Sequence, residues 1–470
     1  MKKNFLQDLS YLNFTMIAIF IWWLIFGINI SFEPYIWDDL SLFRNYTLKE
    51  LINVWIGNWD PDGIMTKGYR PIKLLYFHLT YSIFGENVFL FRIFVLFEIL
   101  FLIILTNQLF ETLNFSKNQI MIFTSLLVFS KIFATLVSWL FLSVLIFTYI
   151  LAIISIKFYF LSIEKKNNFY LIISLLFAGF SILAREELYV LPAIIFLMYF
   201  YKFDINFKNI LYCLKSTFLF FILVFVLMFL RKHFVPDALQ IQLINYQIYF
   251  VNIPFVGDSI IKFGGYIQAV KSSFLPMGYI SSSYSDDIQK IFGIIWILLI
   301  CFALILFLSV IKFNKKKLKK FLILFSLVIV SALPHLSIPR SFGIYLPSIF
   351  ALILISVLIE KTFNGFDLLS KQLKFIGKAL SLLILTIGIT GGIYRSNIQI
   401  ESVNKFSNSI VQYDARMLYK IKDASIPKER FNYNKKHLEN LNVYEYNWEK
   451  TYDGIVSPKI IDNKYHPLRF

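Results

Sequence analysis

Two adjacent carboxylates, Asp38 and Asp39, follow the first apolar stretch of the chain and come directly after Trp37. Carboxylates beside an apolar wall at a membrane surface are costly unless a ligand or a cation uses them. Burial and mutual repulsion both raise the pKa of one member of such a pair, which suits that member to act as a general base. An alternative stays open, in which exposed Asp residues cap a short helix.

The same loop is basic and ends in the sequence KGYRP at residues 67–71. Arginine can hold phosphate oxygens through two parallel hydrogen bonds, so Arg70, with Lys67 nearby, indicates a site for an anionic ligand. Two alternatives remain for Arg70: it could bind lipid head groups, or it could pair with Asp38 or Asp39.

Charged and polar residues recur in two later turns between apolar runs. They are Arg185, Glu186 and Glu187 in the first turn, and His335, Arg340 and Tyr345 in the second. Ionisable groups at this depth usually face a water-filled cavity, and helix-breaking Pro and Gly are tolerated there only against protein or such a cavity. A solvated hairpin tip is the alternative for the first turn, and a structural role is the alternative for the lone His and Arg of the second.

The composition places these residues in a membrane protein. Of 470 residues, 58% are hydrophobic and only 16% are charged, whereas soluble proteins average about 25% charged residues. This composition excludes a disordered chain, a nucleic-acid-binding domain and an ordinary cytosolic enzyme. The net charge of +17 does not indicate nucleic-acid binding, because much of it lies in short loops between apolar runs, where lysines orient a membrane protein. Both cysteines, Cys213 and Cys301, fall in apolar runs, which excludes a disulfide framework and a zinc pattern.

The expected fold class is an all-α polytopic membrane protein with about 11 transmembrane helices, since one span needs ~20 mostly apolar residues. The apolar runs lie at 11–31, 71–84, 89–109, 119–161, 169–184, 188–201, 210–231, 289–311, 321–336, 343–360 and 376–394. Six lysines in 312–320 place that loop inside, and Lys2 and Lys3 place the N-terminus inside. Alternation then requires 119–161 to be one net crossing, with a broken or re-entrant part around Ser130–Ser138.

This arrangement predicts a transmembrane domain at 1–394 and a small extracytoplasmic tail at 395–470. Two outer loops, 32–70 and 232–288, lie on the same face as the tail. The chain has no dinucleotide or Walker glycine motif, so a pump driven by its own nucleotide site is not expected.

The order of these motifs resembles the GT-C glycosyltransferases, which include protein O-mannosyltransferases and the transferase that adds aminoarabinose to lipid A. The motifs are WDD after the first span, YRPIKLLYFHLTYSIFGEN, SILAREELYVLP and IPRSFGIYLPS, and together they cover roughly residues 1–360. The acidic pair is Asp-Asp rather than the Asp-Glu common in mannosyltransferases, and the path from Arg340 to Tyr345 is longer than in many relatives. The Trp-Trp-Asp motif of oligosaccharyltransferases is absent.

The resemblance implies a hexosyl- or pentosyltransferase that uses a sugar linked through phosphate to a polyprenyl lipid and inverts the anomeric centre. Asp38 would be the general base or would orient the acceptor, with Asp39 as its partner. Arg70 and Arg340 would stabilise the departing phosphate. The lesser phosphate-binding candidates are Arg185, Lys67 and His335, and the supporting residues are Glu186, which would hold an arginine, His335 and Tyr345.

No cofactor is expected. Asp38 and Asp39 could bind a divalent metal ion, but this alternative is not favoured, because no third ligand is evident beside the acidic pair. The expected partners are the lipid-linked donor, a lipid, glycan or protein acceptor and the bilayer, without nucleic acid. The start MKKN and the usage rich in Phe, Ile, Lys and Asn suggest a bacterial inner membrane with a periplasmic active site. Two alternatives remain: a transporter or flippase for lipid-linked sugars, and a non-catalytic scaffold. The transporter is disfavoured because the charges cluster on one face and the sequence shows no internal repeat.

Overall fold

The chain is a bundle of helices. The computed structural model describes residues 11–27, 42–61, 68–85, 87–235, 266, 269–276, 287–311, 315–336, 345–364 and 371–409. These residues contain helices and no strand, which confirms the all-α class. Six of the described helices are long and apolar enough to cross a membrane, or up to 7 if one bent pair is a single span. The chain is therefore a multi-pass protein, while the total of eleven crossings stays a prediction.

Every predicted apolar run contains a helix. The helices are α1 Tyr11–Trp22, α2 Leu48–Asn53, α3 Pro71–Phe84, α4 Val88–Thr112, α5 Lys117–Val128, α6 Lys131–Ser138, α7 Ser143–Lys165, α8 Asn168–Ala184, α9 Leu191–Lys202, α10 Phe207–Phe234, α11 Asp287–Ile311, α12 Lys315–Ser331, α13 Tyr345–Asn364 and α14 Lys371–Ser409. A π-helical turn, Trp23–Gly27, extends α1, and 3-10 turns lie at Leu140–Leu142, Glu186–Val190 and Leu333–Leu336.

One end of the bundle is rich in lysine and is called the lysine-rich end. It comprises residues 113–117, 164–167, 201–206, 315–320 and 360–362. Phe115 stacks on Tyr201 with ring centroids 4.9 Å apart, and Lys202 forms an ion pair with Glu164. These contacts bring together the last turns of α4, α7 and α9.

The opposite end is called the Glu186 end and comprises residues 44–61, 68–70, 185–190 and 230–235. Arg70 Nε lies 2.6 Å from Glu186 Oε2, and Arg231 Nη2 lies 3.4 Å from Glu186 Oε1. The loop before α3, the turn after α8 and the end of α10 therefore meet here.

Helix α3 does not cross the bundle, so the assignment of residues 71–84 to a span is wrong. Arg70, just before α3, lies at the Glu186 end, whereas Phe115, just after α4, lies at the lysine-rich end. Helix α4 has 25 residues, or about 37 Å, and makes this traverse alone. The far end of α3 returns to the first loop, where Ser82 Oγ is 3.2 Å from Asn45 Oδ1.

Residues 119–161 make two traverses, where one net crossing was expected. Helix α5 begins and α7 ends at the lysine-rich end. Between them, the Ser138 carbonyl accepts a hydrogen bond from Arg92 Nη1 at 3.1 Å, near the start of α4 at the Glu186 end. The expected break is present, since α5 and α6 meet at 56°, and it lies within a traverse. Residues 71–84 thus give one crossing fewer than expected and residues 119–161 give one more, so the expected number of crossings is unchanged.

The last helix, α14, continues across residue 394, where the transmembrane domain was expected to end. Arg395, Ser396, Gln399 and Ile400 on this continuation are buried. Helix α14 packs directly on the break between α5 and α6, because a Cβ added at Gly392 would lie 2.1 Å from the Phe129 carbonyl oxygen. The rest of the expected tail, 410–470, lies outside the described residues.

Candidate active site

Arg70 is placed by the loop that leads into α3. The Trp59 N–H donates to the Gly68 carbonyl at 3.0 Å, and the Gly68 N–H donates to Asn58 Oδ1 at 2.9 Å. Arg70 then occupies the N-cap of α3, and Pro71 takes the first helical position, where its missing N–H costs no hydrogen bond. A Cβ at Gly68 would lie 3.1 Å from Glu186 Oε1 and 3.2 Å from Arg70 Nε, so glycine allows this close approach.

Glu186 joins two arginines from distant parts of the chain. Its side chain is 10% exposed, and the side chains of Arg70 and Arg231 are 12% and 2% exposed. Burial by itself raises the pKa of Glu186, but the charges of Arg70 and Arg231 and the hydrogen bond from Arg70 outweigh it and lower the pKa to about 2. Burial and the charge of Glu186 raise the pKa of Tyr189 to about 12. With the Glu186 carboxylate ionised, the cluster of two arginines and one carboxylate carries one net positive charge, since the guanidinium group does not lose its proton in proteins.

Aromatic rings extend this cationic region toward α6 and α7. The Lys73 ammonium lies 3.8 Å from the centroid of the Trp59 ring and 4.4 Å from that of Phe141. The Arg70 guanidinium carbon lies 5.7 Å from the Trp59 centroid. Trp59 therefore contacts both cations and stabilises them through cation–π interactions.

A second ion pair lies in the same turn as Glu186. Arg185, which is 3% exposed, pairs with Glu187. The charges of both act on the hydroxyl of Tyr149, and the ring of Tyr149 stacks on that of Tyr345 at 5.1 Å. Tyr345 is fully buried, and its hydroxyl has no hydrogen-bond partner among the described residues. The first turn of α13 thus reaches the Glu186 end.

This arrangement is suited to an anion held away from bulk water. Arg70 and Arg231 present their charges in a poorly hydrated place, where cationic side chains stabilise phosphate oxygens far more than they do in water. Among the described residues, no group of three His, Cys, Asp or Glu side chains could hold a metal ion. The groups available to bind an anion are the guanidinium groups of Arg70 and Arg231, which the Glu186 carboxylate orients.

The structure brings together part of the set of residues expected from the sequence. Arg70 and Glu186 are in direct contact, and Arg185 and Tyr345 lie nearby in the same end. The 3-10 turn Leu333–Leu336, which contains His335, contacts the turn Glu186–Val190. The expected residues that lie outside the described part of the chain are Asp38, Asp39, Lys67 and Arg340.

Three residues of the site were missed in the sequence: Arg231, Lys73 and Trp59. Arg231 opens the run Arg-Lys-His that closes the apolar helix α10, and such a basic run on the expected outer face opposes the usual charge bias. Lys73 follows Arg70 by three residues, which places both on one face of the first turn of α3. Trp59 gave no signal, because its contacts depend on how the loop folds back.

Solved structures with a similar fold come from Archaeoglobus fulgidus. Its oligosaccharyltransferase in complex with Zn and sulfate matches with a TM-score of 0.51 and 14% identity, over 90% of this chain and 57% of that one. The same enzyme tethered to an acceptor peptide containing the NVT sequon matches with a TM-score of 0.50 and 14% identity, over 91% and 58%. No protein-family model and no curated protein matches the chain.

These likenesses concern the fold. The oligosaccharyltransferase has the GT-C fold, so the match supports the GT-C architecture expected from the motif order and does not select a subclass. The chain spans less than three fifths of the length of those structures.

Proposed function

We propose that the chain is an integral-membrane glycosyltransferase that transfers a sugar from a polyprenyl-phosphate donor to an acceptor on the extracytoplasmic face. The observation that carries the proposal is the meeting of Arg70, Arg231 and Glu186, from three separate parts of the chain, at one end of a GT-C bundle. Lysine-rich loops face the cytoplasm in membrane proteins. The Glu186 end lies opposite the lysine-rich end, so it would face outward, which in a bacterium means toward the periplasm.

The reaction is a displacement with inversion at the anomeric carbon. The acceptor oxygen forms a bond to this carbon while the bond between the carbon and the phosphate oxygen breaks, and the electron pair leaves with the lipid phosphate. Asp38 takes the proton of an acceptor hydroxyl, with Asp39 as its partner. An acceptor that is already a phosphate needs no base, and Asp38 then orients it.

The cations act on the charge that builds on the departing phosphate. Arg70, Arg231 and Arg340 stabilise this charge, and removal of one such preorganised donor typically costs about 10²–10³ in rate. Glu186 holds Arg70 and Arg231 in position, which removes the need to reorganise them during the reaction. The residues proposed to support this site are Lys67, Arg185, His335 and Tyr345.

The acceptor is proposed to be a lipid, a glycan or a protein. The acceptor peptide in the structure of the A. fulgidus enzyme makes a peptide one acceptor to test. The donor sugar would be a hexose or a pentose.

The test is transfer by the purified protein in liposomes with a panel of polyprenyl-phosphate sugars. We expect Asp38→Asn to lower the rate at least about 100-fold, in keeping with the usual contribution of a general base. Asp204→Asn, at the lysine-rich end, should keep the wild-type rate. A wild-type rate in Asp38→Asn refutes the base assignment. Movement of the donor across the bilayer without transfer would favour the transporter alternative.

A further inference from the structure

Helix α10 carries an exposed apolar stripe along its length. Phe218, Ile222, Phe225 and Phe229 are 61%, 42%, 71% and 63% exposed. Their spacing of four, three and four residues places them on one face of the helix. On a membrane-spanning helix, such a face contacts hydrocarbon rather than water.

The stripe ends on basic residues at the Glu186 end. Lys232 and His233 follow Phe229 by three and four residues, so they continue the same face, and both are exposed. No carboxylate of the described residues pairs with Lys232. The adjoining Arg231 turns inward, is 2% exposed and contacts Glu186. One helix therefore links a hydrocarbon-facing surface to the cationic cluster.

We propose that this face of α10 is the docking surface for the polyisoprenoid tail of the lipid donor, with Lys232 and His233 receiving its phosphate before it reaches Arg231 and Arg70. The inference rests on the proposed function and adds the route of the donor to it. A long hydrocarbon chain with a phosphate head matches an apolar stripe that ends in an exposed lysine and an exposed histidine.

The dimensions of the stripe agree with a long tail. From Phe218 to Lys232 the helix rises about 21 Å, whereas one leaflet of the hydrocarbon core is ~15 Å deep, half of the ~30 Å core. A single lipid of the outer leaflet would cover only the outer part of the stripe, and a lipid of the other leaflet would cover the rest. A polyisoprenoid chain is long enough to follow it past the midplane.

Another apolar groove fits this role less well. It lies between α1 and α4 and is lined by Met16, Phe20, Trp23, Ile93 and Phe97, among other apolar side chains. No cation is among its lining residues. A tail seated there would lack the charged end that α10 provides, and the groove serves as the competing location in the test.

The test uses a polyprenyl phosphate without a sugar that carries a photoreactive diazirine in its tail. The full-length protein is placed in phosphatidylcholine nanodiscs and irradiated, and the labelled residues are mapped by mass spectrometry. We expect labels around Phe225 and Phe229 that unlabelled polyprenyl phosphate displaces. Lys232→Gln should reduce labelling several-fold. Lys232→Glu should reduce it at least about tenfold, which corresponds to a loss of 1.4 kcal/mol in binding free energy. Lys215→Glu, which lies on the same face at the other end of α10, should leave labelling unchanged.

Several results would overturn the inference. Labels concentrated in the groove between α1 and α4 place the tail elsewhere. Equal displacement by phosphatidylglycerol or by free phosphate shows an ordinary lipid contact or a simple anion site. An equal loss in Lys215→Glu shows a general charge effect.

The readout separates this inference from the proposed function, because labelling requires binding and no transfer. Labelling of α10 as expected, without transfer from any donor, supports the docking surface and refutes the transferase. Sugar transfer at the wild-type rate in Lys232→Glu, with labels elsewhere, refutes the docking surface alone.

Discussion

At the scale of single residues, Glu186 determines how the cationic cluster is organised. It touches Arg70 and Arg231, and without its charge two buried guanidinium groups would face each other uncompensated. Removing one partner of a buried ion pair is strongly destabilising, because the remaining charge has lost its water and its counter-ion. Substitutions of Glu186 should therefore affect folding stability as well as activity.

The pH dependence of stability tests this role. The folded protein holds the pKa of Glu186 at about 2 against an ordinary value of 4.5, so its contribution is present above pH 4.5 and is lost as the pH falls toward 2. The contribution at neutral pH is up to about 3 kcal/mol. We expect Glu186→Gln to lower the melting temperature at pH 7 and to weaken the stability loss between pH 5 and 3, as measured by thermal unfolding in detergent.

The matched control for this experiment is Glu164→Gln, which removes an ion pair at the lysine-rich end where the carboxylate is 44% exposed. It should lower stability little, since exposed ion pairs are worth about 0–1 kcal/mol. If Glu186→Gln loses stability in acid as steeply as the wild type, the carboxylate is not the ionised centre of the cluster.

The residue types of the site could be predicted from the sequence, and Glu186 was expected to hold an arginine, but which arginines it contacts could not be predicted. Arg70 and Glu186 both stood out as charges between apolar runs. Arg70 was expected to meet a phosphate, a lipid head group or the Asp pair, whereas the structure pairs it with Glu186, 116 residues away. Such a contact depends on how α3, α8 and α10 pack, and no local pattern encodes that packing.

At the scale of elements, the apolar runs predicted where the helices lie along the chain. They predicted less well which helices cross from one end of the bundle to the other. The run at 71–84 has the composition of a span, but α3 has only 14 residues and lies at the Glu186 end of the bundle. Composition alone does not distinguish a short helix packed there from a short span. The break near Ser130–Ser138 was predicted because the charge alternation required it.

The packing of α14 against this break gives a second prediction. A Cβ at Gly392 would lie 2.1 Å from the Phe129 carbonyl oxygen, so alanine there forces one backbone to move. We expect Gly392→Ala to destabilise the protein by about 1–3 kcal/mol, the usual cost of overpacking, measured as a lower melting temperature.

Gly179→Ala in α8 is the matched control for that substitution, since its Cβ would meet Leu223 at 3.8 Å, an ordinary contact. It should melt within a degree or two of the wild type, because a Gly-to-Ala change in a helix without a clash is neutral or slightly stabilising. Equal melting temperatures for the two variants would contradict the close packing of α14.

At the scale of the whole molecule, the order of motifs predicted the GT-C architecture, and the fold likeness supports it. The subclass did not follow from the motifs. The similar structures described above are those of an oligosaccharyltransferase, and this sequence lacks the Trp-Trp-Asp motif expected of that class. The overall arrangement of helices is set by apolar periodicity and loop charge, whereas substrate choice depends on a few residues of the outer face.

The topology provides a prediction at this scale. We expect single cysteines at Ser82 and Lys49, introduced after removal of Cys213 and Cys301, to react with a membrane-impermeant maleimide from one side of the membrane. A cysteine at Lys117 should react only from the other side. If residues 71–84 formed a span, the Ser82 and Lys49 positions would instead react from opposite sides.

The most direct test of the proposed active site compares wild type, Arg70→Lys and Arg44→Lys. It measures the rate at which each releases free polyprenyl phosphate from the donor. Arg44 is the matched control, since it is a buried arginine at the same end and pairs with Glu50 at 2.8 Å. Lysine cannot reproduce the forked contacts of arginine with both a carboxylate and a phosphate. We expect Arg70→Lys to lose about 10²–10³ in rate and Arg44→Lys to keep most of it. Release that is absent with every donor, or equal in the two variants, would contradict the assignment of this end of the bundle as the active site.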